Sequence, residues 1–411
     1  MMAKVNEDFL KLAGGYLFPE IARRTRAWQE KNPGEKVLRL GIGNTTEALT
    51  PYITSEMHRK IDLLSDRSTY TGYGDEQGDT PLRVALSEMY RREYGVDLAP
   101  EEFFVSDGAK ADAANIQQIF SSDSIVAVQD PAYPVYVDSN VAGGRSLGFD
   151  EESLSYKGLV YMPSNEGNGF VCTPPETQVD LIYLCFPNNP TGAVATKEQL
   201  KAFVDYAIRE NAVIIYDAAY SDYIREEGYV HTIYEVEGAE KVAIEINSFS
   251  KNAGFTGVRL GWTIVPFGIA SDNAPEGTVH RLWNRRQCTY FNGASNIAQS
   301  GGIAALSPKG REECRSLVDY YLENARIIKS GLEAIGIKCY GGVNSPYVWA
   351  KAPRGMKSWE FFDFLLEKAH VVVTPGSGFG GSGEGFVRVS SYGHREDVIK
   401  AIESIVEHIN D

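Results

Sequence analysis

From about residue 100 to about residue 290 the chain alternates short apolar runs with amphipathic stretches. The runs 124–128, 181–186, 212–216, 242–246 and 261–265 have the length and near-continuous apolar character of strands buried on both faces. Helical patterns lie between them. One follows the 181–186 run, with Thr196 and Gln199 at the spacing of a capping box. Such alternation predicts an α/β fold, a mostly parallel sheet covered by helices. Beyond about residue 310 the pattern changes to a long helical stretch, 311–332, and then to shorter strands and helices ending in a helix over 394–409. That reads as a smaller α+β domain, and 411 residues suit two domains better than one.

Composition narrows the function. A net charge of −15 and a pI near 5.0 argue against nucleic acid and against anionic membrane surfaces as partners. Five cysteines, none in a Cys-x-x-Cys pair, suit reduced thiols in a cytoplasmic protein. Six histidines form no ligand-spaced cluster, so no metal site is expected. The N-terminus, with Lys4, Glu7, Asp8 and Lys11, has no signal-peptide pattern, and no window is apolar enough to span a membrane.

The chemistry gathers where apolar runs end. After 242–246 comes Asn247-Ser-Phe-Ser-Lys251, then glycines, then Arg259. A lysine among Ser248 and Ser250, followed by an arginine, suits pyridoxal phosphate: an amine for its aldehyde, donors and a fixed positive charge for its phosphate. The 181–186 run ends in Pro187-Asn-Asn-Pro-Thr-Gly192, and 212–216 ends in Asp217-Ala-Ala-Tyr220. By itself Asp217 would be an ordinary helix cap. In a doubly wound sheet, however, Asn189, Asp217 and Lys251 reach one carboxyl edge. There Asp217 can keep a pyridine nitrogen protonated, Asn189 and Tyr220 can hydrogen-bond the ring's phenolic oxygen, and Lys251 can take the aldehyde.

These motifs resemble the fold-type I aminotransferases, the aspartate aminotransferase superfamily, in its class I/II branch. The likeness spans nearly the whole chain, because Tyr70-Thr-Gly-Tyr-Gly-Asp-Glu-Gln-Gly78 and Arg388 also fall where that family contacts cofactor and carboxylate. It implies an N-terminal arm over 1–48 that contributes to the small domain, a large cofactor domain over 49–295 and a small domain over 296–411. It also implies a homodimer with shared active sites and a ping-pong exchange between amino acids and 2-oxo acids. Lys251 is then the catalytic base, and Tyr133, otherwise a core aromatic, stacks on the pyridine ring.

Two glycine-rich segments compete for the phosphate. Gly376-Ser-Gly-Phe-Gly-Gly381 fits a dinucleotide fingerprint, but Gly383, Gly385 and the strand-like 386–390 follow it, where the fingerprint needs a helix. A flexible loop between strands is the expectation there. Ser106-Asp-Gly-Ala-Lys110 follows the apolar run 103–105 and opens a helical stretch, so the free N–H groups of Ala109 and Lys110 suit an anion. Alone it would be an ordinary N-cap. Beside Ser248, Ser250 and Arg259 the phosphate is the stronger reading.

For the substrate, Arg388 resembles the family's clamp for an α-carboxylate. Glu76, the arm around Tyr16, Gly43, Lys110 and Asn292 resemble the branch whose substrate carries an amino-carboxylate at each end. Glu76 then meets the distal ammonium, and Tyr16, Lys110 and Asn292 supply donors. The resemblance carries Tyr133 and Asn189 to the substrate as well, and brings Tyr73, Glu76 and Asn292 from the neighbouring subunit, Tyr73 towards the cofactor. Another amino-acid aminotransferase, or a 1-aminocyclopropane-1-carboxylate synthase-like lyase, would share the cofactor set. A regulator that kept the fold would show a fused DNA-binding segment, and none is visible.

Overall fold

The fold is described from a computed structural model over residues 2–13, 17–271 and 273–409. Five apolar runs and two further segments form one seven-stranded sheet. Its spatial order is Phe103–Ser106, Gly261–Ile264, Ala243–Ser248, Val213–Asp217, Leu181–Cys185, Val126–Asp130 and Leu159–Pro163. Gly261–Ile264 runs antiparallel to both neighbours, and the other adjacent pairs are parallel. Every residue of Leu181–Cys185 and Val213–Asp217 is buried, as a sheet covered on both faces requires. The run read at 124–128 begins as a strand only at Val126, because the Ile125 N–H is drawn to the Asp180 carboxylate at 2.6 Å. Thr196 caps the helix Lys197–Glu210 by the reciprocal bonds its spacing predicts, Thr196 N–H to Gln199 Oε1 at 2.9 Å and Gln199 N–H to Thr196 Oγ1 at 3.2 Å.

A second, antiparallel sheet orders Cys339–Gly341, Tyr347–Lys351, Phe386–Ser390 and Thr374–Pro375. Early chain joins it: Leu38–Arg39 pairs in parallel with Val371–Val372, and Leu17, Ile21 and Leu40 sink into the same core. The helix Pro308–Ala334 bridges the two bodies. Its first half packs Cys314, Leu317, Val318 and Tyr321 into the large sheet's cores, and its second half packs Ala325, Ile328 and Leu332 into the small one. Helix Asn296–Leu306 packs with Leu82 and Phe249 in a core of the large sheet.

Among the described residues the core falls into four apolar clusters, and each buried cysteine occupies a different one: Cys339, Cys185, Cys172 and Cys314. Cys288 is exposed. The glycine-rich segment joins the strands Thr374–Pro375 and Phe386–Ser390, as expected. It folds as two short 3-10 turns, Gly376–Phe379 and Gly381–Gly383, docked on the large body. Ser382 gives its N–H (3.1 Å) and hydroxyl (2.8 Å) to the Asp130 carboxylate, and Phe379 C=O accepts the Ala132 N–H at 2.8 Å. These bonds fix a stretch whose composition alone reads as flexible.

Candidate active site

Three parallel strands deliver their last residues to one edge. In register, Cys185 lies beside Asp217, and Asp217 beside Ile246, two residues before Ser248. The next residues form the short helix Phe249–Asn252, which carries Lys251. Ser248 caps that helix by accepting the Ser250 N–H at 3.0 Å, and Tyr223 Oη donates to the Lys251 carbonyl at 3.1 Å. The Ser248 hydroxyl thus fixes the lysine's turn while also lining the cavity there.

That cavity, about 330 Å³, lies between the two bodies. The large body contributes Ala109, Lys110, Tyr133, Asn189, Asp217, Tyr220, Ser248, Ser250, Lys251 and Arg259. Gly43 and Arg388 enter from the small body's side. The Lys251 amine donates to the Gly43 carbonyl, which ties the two sides together. Burial, followed by the positive charges of Arg388 and Arg259, brings Lys251 down to about 7, against the pull of Asp217. An amine poised there is available as a neutral nucleophile and base near pH 7.

Asp217 is buried, and burial pushes its carboxyl up; Tyr136 Oη, donating to Oδ2 at 2.6 Å, and the Ala219 N–H, donating to Oδ1 at 3.0 Å, counter that. Asn189 connects two functions. Its Oδ1 accepts from Arg388 Nη1 at 2.6 Å, while its Nδ2 donates to Tyr220 Oη at 3.4 Å. Arg388 is 1 % exposed, its Nη2 donates to the Gly41 carbonyl at 2.8 Å, and its guanidinium lies 4.4 Å from the centre of the Tyr347 ring. Its buried Nε has no hydrogen-bond partner among the described residues. A guanidinium held among neutral acceptors with an unmet N–H is prepared for an anion.

At the other end Arg259 donates to Ser250 Oγ and the Thr256 carbonyl, both at 3.3 Å. Its φ of 70° places a non-glycine residue in the left-handed region. The helix Ala109–Asn115 begins beside it, after Gly108 at φ 127°. A Cβ on Gly108 would collide with the Arg259 guanidinium, so the glycine lets the cation reach the helix start.

Tyr136 and Tyr347 belong to the site and escape sequence reading. Tyr347 Oη lies 2.9 Å from Tyr220 Oη, and a Cβ on Gly43 would press against it. Both tyrosines sit in apolar surroundings that give no local signal. Tyr73, Glu76 and Asn292 lie outside the cavity, all exposed. They share one surface region, where Gly293 packs against Asp75 and Glu76, and Asn296 donates to the Gly72 carbonyl at 2.9 Å. Tyr16 lies outside the described residues. A larger cavity, about 760 Å³, adjoins Asp222 and Arg311, and most of its charges are paired: Arg311 with Glu93 (2.6 Å) and Asp222 (2.9 Å), and Arg225 with Asp319 (2.8 Å). Among the described residues no group of His, Cys, Asp and Glu could hold a metal, and no helix is long and apolar enough to cross a membrane.

The two-body α/β fold, with a lysine, a carboxylate and an arginine converging between its bodies, is that of a fold-type I transferase. The sequence profile described as aminotransferase class I and II matches residues 35–405, and the chain belongs to that family. It is 49 % identical over 404 residues to an LL-diaminopimelate aminotransferase of Agathobacter rectalis, covering 98 % of this chain and 99 % of the relative. Among solved structures, L,L-diaminopimelate aminotransferase from Chlamydomonas reinhardtii matches with a TM-score of 0.93 and 47 % identity, covering 99 % of each chain. BacF from Bacillus subtilis, in a substrate-bound structure, matches at 0.84 and 28 % identity, covering 99 % of this chain and 98 % of its own. The family depends on pyridoxal phosphate, and this donor set fits it: a depressed-pKa amine, a buried carboxylate, and a cation packed on Gly108 at the start of the helix Ala109–Asn115.

Proposed function

We propose that this chain is an LL-diaminopimelate aminotransferase, exchanging the amino group between LL-2,6-diaminopimelate and 2-oxoglutarate. The product would cyclise to tetrahydrodipicolinate alongside glutamate, in lysine and cell-wall precursor synthesis. The convergence of Lys251, Asp217 and Arg388, in a chain alike over almost its full length to two such enzymes, carries this reading.

When bound, pyridoxal phosphate supplies an aldehyde that takes up amines and a ring that accepts electrons. The residues supply the rest. Arg388 clamps the α-carboxylate and orients the amino acid. Lys251 Nζ, brought down to about 7 and so partly neutral near pH 7, would take the proton from the substrate Cα and deliver it to the cofactor's aldehyde carbon, C4′. Asp217 holds a proton on the ring nitrogen, and Tyr220 and Asn189 hold the phenolic oxygen. Arg259, Ser250 and the N–H groups of Ala109 and Lys110 hold the phosphate. The same residues then act on 2-oxoglutarate in the second half of the cycle.

The reading includes a homodimer in the cytoplasm. Tyr73 is 88 % exposed, and Glu76 and Asn292 are exposed beside it, so a second copy is needed to bring them to a distal ammonium and carboxylate. The acidic surface and unpaired thiols suit a reducing compartment. The test is a yellow protein that borohydride fixes to its cofactor at Lys251, followed by a donor panel containing LL- and meso-diaminopimelate. Mapping of the cofactor to another lysine, or turnover without any 2-oxo acid acceptor, would overturn the assignment.

A further inference from the structure

Tyr136 joins two regions of the site. It is 2 % exposed, in the helix Pro134–Ala142 that follows Tyr133. Its hydroxyl donates to Asp217 Oδ2 at 2.6 Å, opposite the Ala219 N–H on Oδ1. Its ring stacks on Tyr183, with centres 5.4 Å apart and planes at 26°, and meets the Tyr133 ring edge-on at 5.8 Å and 78°. The ring is thus held by packing, and the hydroxyl donates to one carboxylate oxygen with the Cys185 thiol also within hydrogen-bond reach of it.

A carboxylate in so buried a place tends to take up a proton and lose the charge its role needs. The titratable groups around it divide. Lys251 favours the ionised form when it is itself charged, which near pH 7 is only some of the time. Cys185, beside Asp217 in the sheet, is pushed far up by burial and stays a thiol; Tyr220 and Tyr347 are likewise raised by burial and stay phenols. Of the groups opposing burial, the Tyr136 hydroxyl acts most strongly on Asp217.

We propose that Tyr136 is a positioning residue, acting through Asp217: its Oη–Oδ2 hydrogen bond keeps Asp217 a carboxylate and fixes its plane, so that the proton shared with the ring nitrogen of pyridoxal phosphate rests on nitrogen. The inference rests on the aminotransferase reading. Without the hydroxyl, Asp217 becomes more basic, draws that proton to itself, and weakens the electron demand of the ring.

Tyr136→Phe removes the hydroxyl and leaves both ring contacts. In holoenzyme carrying pyridoxal phosphate labelled with ¹⁵N in the ring, the wild type is expected to give a pyridinium shift and Tyr136→Phe a shift moved towards neutral pyridine. The single-turnover rate with LL-diaminopimelate should fall about tenfold or more, the size of one lost bond to a charged group, with little change in KM. In an Asp217→Asn background, Tyr136→Phe should cause no further loss, because its effect runs through the carboxylate. An unchanged ¹⁵N shift in Tyr136→Phe, or equal losses in both backgrounds, overturns the role. If Tyr136→Phe does not fold, Tyr136→His decides by the same two readouts: a ring N–H donor should retain the pyridinium shift, and a neutral-pyridine shift in a folded Tyr136→His holoenzyme overturns the role too. A wild type that binds no pyridoxal phosphate would instead remove the aminotransferase reading itself.

Discussion

At the scale of single residues, the site works by withholding water from charges. Asp217 shows the cost. Replacing it with Asn keeps its shape and removes the charge, and each unit of altered ring pKa is worth about 1.4 kcal/mol. Turnover of Asp217→Asn should fall by orders of magnitude while cofactor affinity falls less; near-normal turnover would place the electron-sink partner elsewhere. Lys251 gives a prediction about pH. Its folded value is lowered from 10.5 to about 7 by burial, Arg388 and Arg259. Between those values the unfolded cofactor-free chain holds a proton that the folded chain lacks, so stability should rise with pH across this window. Lys251→Met should lose that rise; denaturant titrations at about pH 7 and about pH 10 with the same increment in both proteins would count against it. Lys251, Asp217 and Asn189 were legible because each ends an apolar run. Tyr136 and Tyr347 were not, since a tyrosine inside an apolar stretch carries no mark of what its hydroxyl meets.

At the scale of elements, the phosphate end depends on a backbone that leaves space. Gly108 holds φ 127° at the start of the helix Ala109–Asn115, and the Arg259 guanidinium fills the room its missing side chain leaves. Gly108→Ala should therefore displace Arg259 and weaken cofactor binding at least tenfold, and the strain of an L side chain at that φ should lower stability as well. Equilibrium dialysis of pyridoxal phosphate beside thermal melting separates the two, and unchanged affinity would show that Arg259 does not need this approach. Strand existence and the Thr196 capping box could be read in advance because their signals are local. The docking of 376–383 could not, since Ser382 finds its partner in Asp130, far away in sequence. The strand Leu159–Pro163, by contrast, carries a local signal in the apolar run Leu159-Val-Tyr-Met162, and its burial is interrupted because it lies at the edge of the sheet.

At the scale of the whole molecule, the proposed pocket for the substrate's distal end draws on a second copy of the chain. If Glu76 of a second copy meets the distal ammonium of diaminopimelate, Glu76→Gln removes a charge-assisted bond worth about 1.5–3 kcal/mol, or about a tenfold to hundredfold loss in kcat/KM for that donor. Half-reactions with glutamate should change much less. Equal losses for both donors would leave Glu76, which precedes the helix Thr80–Tyr94, without a part in specificity and leave the aminotransferase intact. The placement of the cysteines has a use of its own. Cys288 is exposed in the single chain, near Glu76, while Cys339, Cys185, Cys172 and Cys314 lie in four separate regions of the core. Each is thus a chemical tripwire for one region. The order in which they react under mild denaturant, read by peptide mass, will show which body opens first, and simultaneous reaction of all four will show that the bridging helix Pro308–Ala334 makes them melt as one.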